Sequence, residues 1–205
     1  MTAGDSGAEP ATGERGDRLP TGCGPLDDLL GGGLERGTVT QVYGPPAAGK
    51  TNVALRAAVE VAATGDTAVY VDTEGVSPDR FEQLLAARTE AAEAASARVV
   101  IKQVHDFAEQ DEAVRDVADL ADRAELVVLD SATGFYRLER TADGEEGESL
   151  RQVARQVTHL LALARRHDLA ALVTNQVYSD PDGDRPRALG GHTLNHWTGT
   201  VVRLD

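Results

Sequence analysis

Hydrophobic and polar positions along the chain predict strands and helices in alternation. Short runs of β-branched and other apolar residues predict strands over residues 38–43, 68–72, 99–104, 126–130, 169–174 and 199–204. Between them, helix-forming residues predict helices over 52–63, 79–95 and 108–121, and a longer one that ends near His167. This alternation is typical of an α/β fold, a mainly parallel twisted sheet with helices on both faces, which binds ligands at the carboxyl ends of its strands.

The stretch GPPAAGKT, residues 44–51, lies at one of these strand ends. It has the P-loop spacing, in which backbone N–H groups surround a phosphate, Lys50 adds positive charge and the Thr51 hydroxyl ligates magnesium. The alternative is a Gly/Pro-rich turn that binds nothing; the flanking strand and helix favour the P-loop. The predicted nucleotide-binding residues are Gly44, Pro45, Pro46, Ala47, Ala48, Gly49, Lys50, Thr51 and Asn52.

Three further polar side chains at strand ends are candidates for chemistry. Asp130 closes the apolar run ELVVLD like a Walker B aspartate, able to hold Mg²⁺ through water across from Thr51; the alternative is an aspartate that begins a turn. Glu74 follows the strand at 68–72 and could polarise a water for attack on a γ-phosphate, or be a solvated turn acid. Gln176 could hydrogen-bond a terminal phosphate and report its loss to the following loop.

Length and composition indicate one domain without covalent support. The chain has 205 residues and one cysteine, Cys23, which suits a reducing compartment. Residues 1–18 predict a disordered acidic tail and residues 19–205 a single core. We find no signal peptide and no apolar stretch of membrane-spanning length, so we expect a soluble cytoplasmic protein that has no membrane partner.

The charge balance is strongly acidic, with 34 acidic against 20 basic residues and a net charge of −14. Lys50 and Lys102 are the only lysines, so one of the two lies where phosphate binding needs it. Acidic, lysine-poor composition is typical of proteins from salt-accumulating archaea; the alternative is a GC-rich genome that replaces Lys with Arg. At molar salt the screening length is about 3 Å, so net charge alone does not decide whether the chain binds DNA.

Five segments resemble, in order, the RecA-type recombinase core of archaea and eukaryotes: residues 21–51, 70–81, 126–137, 172–177 and 189–197. The resemblance covers residues 19–205 and is nearest to the archaeal RadB proteins, short paralogues of the main recombinase. It implies a RecA-type P-loop ATPase core that binds ATP and Mg²⁺. By position, residues 44–51 resemble the ATP loop, Glu74 the catalytic glutamate and Asp130 the Walker B acid. Gln176 resembles the residue that couples nucleotide state to a DNA-facing loop.

The same resemblance implies a function in DNA repair and homologous recombination. It implies weak, DNA-independent ATP turnover and binding of single-stranded or branched DNA without strand exchange. The implied partners are the main archaeal recombinase, which the chain would help to load, and a junction-cutting nuclease. Two alternatives stay open: a nucleotide-dependent interaction module that does not hydrolyse ATP, and a signalling ATPase of the circadian-clock (KaiC) type.

Several features depart from a full recombinase. Only a short tail precedes the core, so we expect no autonomous filament, and relatives usually continue beyond residue 205 into a further strand and a basic motif. The loops at 131–148 and 178–189 mix arginines with more numerous acids. His192 and His196 have helical spacing but lack a third ligand nearby, and Trp197 is expected to anchor against the sheet.

Overall fold

The computed structural model describes residues 16–135, 146–178 and 187–205, and gives no side-chain description for residues 146–149, 178 and 192. Residues 1–15, most of the predicted tail, lie outside this range, and Arg18 already belongs to the first strand. The elements in chain order are β1 Arg18–Leu19, α1 Gly24–Leu29, β2 Leu34–Glu35, β3 Val39–Gly44, α2 Lys50–Ala63, β4 Thr67–Asp72, α3 Pro78–Arg88, α4 Ala92–Ser96, β5 Val99–Gln103, α5 Phe107–Asp116, β6 Ala124–Asp130, α6 Glu146–His167, β7 Ala170–Tyr178, β8 Arg187–Ala188, α7 Gly191–Asn195 and β9 Thr200–Arg203.

The main sheet confirms the predicted α/β architecture. Its strand order is β5-β4-β6-β7-β3-β9, every neighbouring pair on this path is parallel, and β8 adds to β7 in the antiparallel sense. The strands β1 and β2 form a separate small sheet. Because β3 lies between β7 and β9, the P-loop begins inside the sheet rather than at its edge.

Two hydrophobic clusters pack on opposite faces of this sheet, as the alternation of side chains along each strand requires. In β4, Ala68 and Tyr70 face α2 and α3, whereas Val69 and Val71 belong to the cluster that contains α5 and α6. Every residue of β6 is buried, which explains the continuous apolar run over residues 126–129 of this strand.

Three predicted elements have bounds that are wrong by more than two residues. The helix predicted over 79–95 is broken: Thr89 is extended, with φ −150° and ψ 144°, and its hydroxyl accepts a hydrogen bond from the Ala91 amide at 3.2 Å. The helix predicted over 108–121 ends at Asp116 and continues as the 3₁₀ turn Val117–Asp119. The strand predicted over 169–174 extends to Tyr178, because the polar residues after it find partners inside the fold.

A buried ion pair closes the edge of the molecule opposite the strand ends. Arg36 pairs with Glu125, and both side chains are less than a tenth exposed. The same guanidinium donates to the carbonyl oxygens of Gly16 at 2.9 Å and Asp168 at 2.8 Å. Arg36 thereby joins the first described residues to the connection between α6 and β7. No helix among the described residues is long and apolar enough to cross a membrane.

Candidate nucleotide-binding site

The P-loop connects β3 to α2 at the carboxyl edge of the sheet. Gly49 precedes the first turn of α2 with φ 95°, a left-handed conformation that glycine adopts without steric cost. Gly44 ends β3 directly against the carbonyl oxygen of Leu204, so a β-carbon at this position would collide with the backbone that follows β9. The backbone geometry therefore requires glycine at both positions. The N-terminus of α2 faces the loop, as anion binding requires.

Lys50 and the loop form one wall of a cavity of about 610 Å³. The Lys50 ammonium donates to the carbonyl oxygens of Gly44 at 3.0 Å and Pro45 at 2.9 Å, within the loop itself. The cavity brings together most of the predicted nucleotide-binding residues with both predicted catalytic side chains. Its lining is Pro46, Ala47, Gly49, Lys50, Thr51, Asn52, Glu74, Gln176 and Val177.

The Asp130 carboxylate lies beneath this cavity at the end of β6. Its Oδ1 accepts hydrogen bonds from the hydroxyl groups of Thr51 at 3.4 Å and Thr174 at 2.6 Å. Its Oδ2 accepts a third from the Tyr70 hydroxyl at 2.6 Å. Hydroxyl and carboxylate oxygens are the donors that Mg²⁺ prefers, so Thr51 and Asp130 fit a magnesium site in which water completes the shell.

Burial and hydrogen bonding act in opposite directions on Asp130. Burial raises the pKa of this carboxyl, and the Glu74 charge adds to the rise. The hydrogen bonds from Thr174, Tyr70 and Thr51 lower the same pKa, because they stabilise the carboxylate. Burial, followed by the Asp130 charge, raises the pKa of Tyr70 far above its ordinary range, so the phenol remains a hydrogen-bond donor.

Glu74 and Gln176 meet at the mouth of the cavity. Glu74 is exposed in the turn after β4, and its Oε1 accepts a hydrogen bond from Gln176 Nε2 at 3.5 Å. Gln176 also donates to Ser131 Oγ at 3.4 Å and is the register partner of Gly44 across β3 and β7. Gln176 thus lies inside β7 and not in the loop after it. It contacts both the turn after β4, which carries Glu74, and the turn after β6, which begins at Ser131.

The backbone around Gln176 also holds the far end of the following segment. The Leu189 amide donates to the Gln176 carbonyl oxygen at 2.8 Å, and the Asn175 side-chain amide donates to the Leu189 carbonyl oxygen at 2.8 Å. Both ends of the stretch between Gln176 and Leu189 are therefore fixed beside the cavity.

Several residues that contact the predicted ones carry no signal of this role in the sequence. Tyr70 and Thr174 belong to strands whose alternation shows only that they are buried, and their contact with Asp130 depends on sheet register. Arg80 donates to Asn52 Oδ1 at 3.0 Å and so reaches the cavity lining from α3. Asp72, whose carboxylate accepts hydrogen bonds from backbone amides of the turn after β4, was missed as well. Its position was a local signal in the sequence, since an aspartate that closes a strand commonly caps the turn after it.

The structure describes His196 and Trp197, the residues near the C-terminus that the sequence singled out, but not the side chain of His192. The His196 ring packs edge-on against Trp197, with 4.9 Å between ring centroids, and the His192 side chain lies outside the described residues. Trp197 is 38% exposed and shares a groove with Arg151 and Arg155 of α6, so the expectation of an anchor on the sheet is wrong.

Within the described ranges, no three His, Cys, Asp or Glu side chains form a metal-binding group. Of the arginines in the two loops, Arg137, Arg140 and Arg185 lie outside those ranges, whereas Arg187 begins β8.

Comparison with known proteins agrees with this geometry. The family model described as Rad51 matches residues 17–205. The chain belongs to the Rad51 family. It is 69% identical over 189 residues to the DNA repair and recombination protein RadB of Halobacterium salinarum, a match that covers 91% of this chain and 80% of that one. RadB of Methanococcoides burtonii is 37% identical over 190 residues, covering 92% and 83%.

A solved structure shows the same fold. The crystal structure of the RadB recombinase superimposes with a TM-score of 0.74 at 36% sequence identity, covering 90% of this chain and 82% of that one. The resemblance to RadB proteins and to the RecA-type core, expected from the five segments, is confirmed.

Proposed function

We propose that the chain is an ATP-binding paralogue of the RecA-type recombinases that acts in DNA repair and homologous recombination. One observation carries the proposal: Lys50, Thr51, Glu74 and Gln176 line a single cavity, and Asp130 contacts Thr51 at its base. The RadB relatives, named as DNA repair and recombination proteins, support the biological role. The relative from Halobacterium also supports a halophilic source.

In this proposal each side chain has a defined task. Lys50 and the loop amides hold the phosphates, and Thr51 and Asp130 would hold Mg²⁺, which would supply charge neutralisation at the phosphates. Glu74 orients and polarises the attacking water, and the exposed carboxylate at the cavity mouth supports this role. Gln176 responds to the terminal phosphate, and its position between Glu74 and the segment that ends at Leu189 supports coupling.

We further propose that turnover is weak and independent of DNA, and that the nucleotide sets the conformation of the segment after Gln176. That conformation would control affinity for single-stranded or branched DNA, for the main recombinase that the chain helps to load, or for a junction-cutting nuclease. The proposed organisation is a single ATPase core over residues 19–205 that follows an acidic N-terminal segment and works in the cytoplasm. The similarity to RadB proteins of two archaea favours recombination over clock-type signalling.

The test is ATP turnover in multimolar KCl, with and without single-stranded DNA, for wild type, Lys50→Ala and Glu74→Gln. We expect slow turnover that both substitutions abolish and that DNA leaves unchanged. Stimulation by DNA of many-fold would make the chain a recombinase motor and contradict the mediator role. ATP binding that depends on Lys50 without any turnover would instead identify a nucleotide-dependent interaction module.

A further inference from the structure

Asp72 is a buried carboxylate that receives hydrogen bonds from the turn carrying Glu74. It ends β4 and is only 2% exposed. Its Oδ1 accepts hydrogen bonds from the backbone amides of Glu74 at 3.1 Å and Gly75 at 2.9 Å, and its Oδ2 accepts one from Val76 at 2.7 Å. Three successive amides therefore converge on one side chain.

These hydrogen bonds offset the free energy that it costs to bury the Asp72 carboxylate. An isolated carboxylate is costly to remove from water, and amide donors to an ionised acceptor form stronger hydrogen bonds than neutral pairs do. Within the described part of the chain Asp72 has no ion pair, so the turn amides are its main stabilising partners. The dependence is mutual: the carboxylate needs the turn, and the turn is held by the carboxylate.

The turn has few other restraints on the side that faces the cavity. Glu74 and Gly75 are exposed, and Gly75 adopts φ 83°, a left-handed conformation, whereas Val76 packs against the hydrophobic cluster that faces α2 and α3. Behind Glu74, the Thr73 hydroxyl donates to the Asp130 carbonyl oxygen at 2.7 Å. Asp72 and Asp130 are register partners across β4 and β6. The turn is therefore tied on one side to its own strand and on the other to the strand that ends in Asp130.

We propose that Asp72 is a positioning residue, which fixes the turn so that the Glu74 carboxylate reaches the cavity at a set distance from Asp130. Asp72 is not part of the cavity lining and acts through the backbone of residues 74–76. This inference rests on the proposed role of Glu74 in ATP hydrolysis. A positioning role affects the chemical step and leaves nucleotide binding intact, because the phosphate loop and Lys50 belong to a different connection.

The experiment compares Asp72→Ala and Asp72→Asn with wild type, in multimolar KCl, by three measurements. These are kcat for ATP, Kd for a fluorescent ATP analogue, and amide hydrogen exchange of the peptide covering residues 73–77. We expect Asp72→Ala to lower kcat at least 10-fold, to change Kd less than about threefold, and to accelerate exchange in that peptide. Asp72→Asn keeps one acceptor oxygen and the side-chain shape, so its kcat should fall between the other two.

Asp106→Ala is the matched control. Asp106 likewise accepts a hydrogen bond from a backbone amide, that of Glu109 at 2.8 Å, but it caps α5 away from the cavity. Its substitution should lower stability without changing kcat. If Asp72→Ala fails to fold, Asp72→Asn alone decides: an unchanged kcat together with unchanged exchange overturns the inference.

The two proposals fail in different ways. Wild-type kcat retained in both Asp72 variants, beside turnover lost in Glu74→Gln, overturns the role of Asp72 and leaves the proposed hydrolysis standing. Equal turnover in wild type and Glu74→Gln overturns the proposed role of Glu74 in hydrolysis and with it the positioning role of Asp72. Faster exchange with a parallel rise in Kd and fall in kcat makes Asp72 a general structural residue, which also overturns the inference.

Discussion

The side-chain amide of Gln176 donates a hydrogen bond to the carboxylate of Glu74, although the two residues are 102 positions apart in the chain. The contact joins the turn after β4 to β7, across the carboxyl edge of the sheet. A phosphate that drew the Gln176 amide toward itself would therefore weaken its hydrogen bond to Glu74. The nucleotide site and the segment between Gln176 and Leu189 therefore share one polar contact.

Gln176→Ala should leave nucleotide binding intact but remove its effect on the segment that follows Gln176. The substitution removes the amide from Glu74 and Ser131 but leaves Lys50 and the phosphate loop unchanged, so Kd for ATP should shift less than about threefold. In wild type, ATP should slow amide exchange in the peptide covering 177–188; in Gln176→Ala this slowing should be lost. An equal ATP response in both proteins would show that the coupling passes elsewhere.

Tyr70→Phe should weaken Mg²⁺ binding without affecting nucleotide binding in its absence. Loss of the phenol leaves Asp130 Oδ2 without its 2.6 Å donor, and changes in groups that orient metal ligands typically cost about 10–100-fold in metal affinity. The measurement is the Mg²⁺ concentration at half-saturation in a titration of the nucleotide-bound protein.

Tyr43→Phe provides the comparison for this substitution. Tyr43 lies on β3 of the same sheet, and its hydroxyl has no hydrogen bond among the described residues. Half-saturation should stay within about twofold of wild type. A Tyr70→Phe protein that behaves like Tyr43→Phe would show that Thr174 and Thr51 suffice to orient Asp130.

Arg36→Met should destabilise the fold far more than an ordinary surface substitution does. It removes the Arg36 cation from the buried Glu125 carboxylate and frees the carbonyl oxygens of Gly16 and Asp168, so a loss of about 3–5 kcal/mol is expected. Urea unfolding measures the loss. Arg115→Met is the control: its pair with Asp111 is exposed, at 67% and 39%, and should contribute less than about 1 kcal/mol. Similar losses for both would contradict the burial argument.

Gly44→Ala should disturb the junction between β3 and β9. The added methyl group meets the Leu204 carbonyl oxygen and approaches the Ala48 side chain to 3.3 Å, so the strands must shift, at a cost of about 1–3 kcal/mol. Since the shift begins at the phosphate loop, nucleotide affinity should fall as well.

Gly24→Ala tests whether the Gly44 effect is steric. At Gly24 an added β-carbon has no neighbour within 4 Å, and the residue begins α1 far from the loop. Urea unfolding and nucleotide titration should both give values close to wild type. If Gly24→Ala lowered stability as much as Gly44→Ala, the close approach to Leu204 would not be the cause.

The sequence predicts what is local and misses what depends on register. The phosphate loop can be located because the spacing of Gly44, Gly49 and Lys50 is itself the structural requirement, and Asp130 because a long apolar run ends at it. The roles of Tyr70 and Thr174 could not be found this way, since their contacts with Asp130 exist only once β4, β6 and β7 are aligned.

Errors in element bounds have the same origin. The end of β7 is polar, and Asn175 becomes a strand residue because Thr133 and Leu189 provide hydrogen-bond partners from elsewhere in the chain. The break at Thr89 is the opposite case, in which a side-chain hydrogen bond within the turn prevails over helix-forming neighbours.

The position of β3 between β7 and β9 has a consequence for synthesis on the ribosome. Both neighbours of this strand are translated long after it. The strand and the phosphate loop therefore emerge early, and β3 has no lateral hydrogen bonds until β7 and β9 have been synthesised. Closing such long loops is slow because chain entropy is lost before the contacts form. A nascent chain should thus acquire nucleotide binding only when β7 and β9 have left the exit tunnel, which makes ATP affinity a reporter of completed folding.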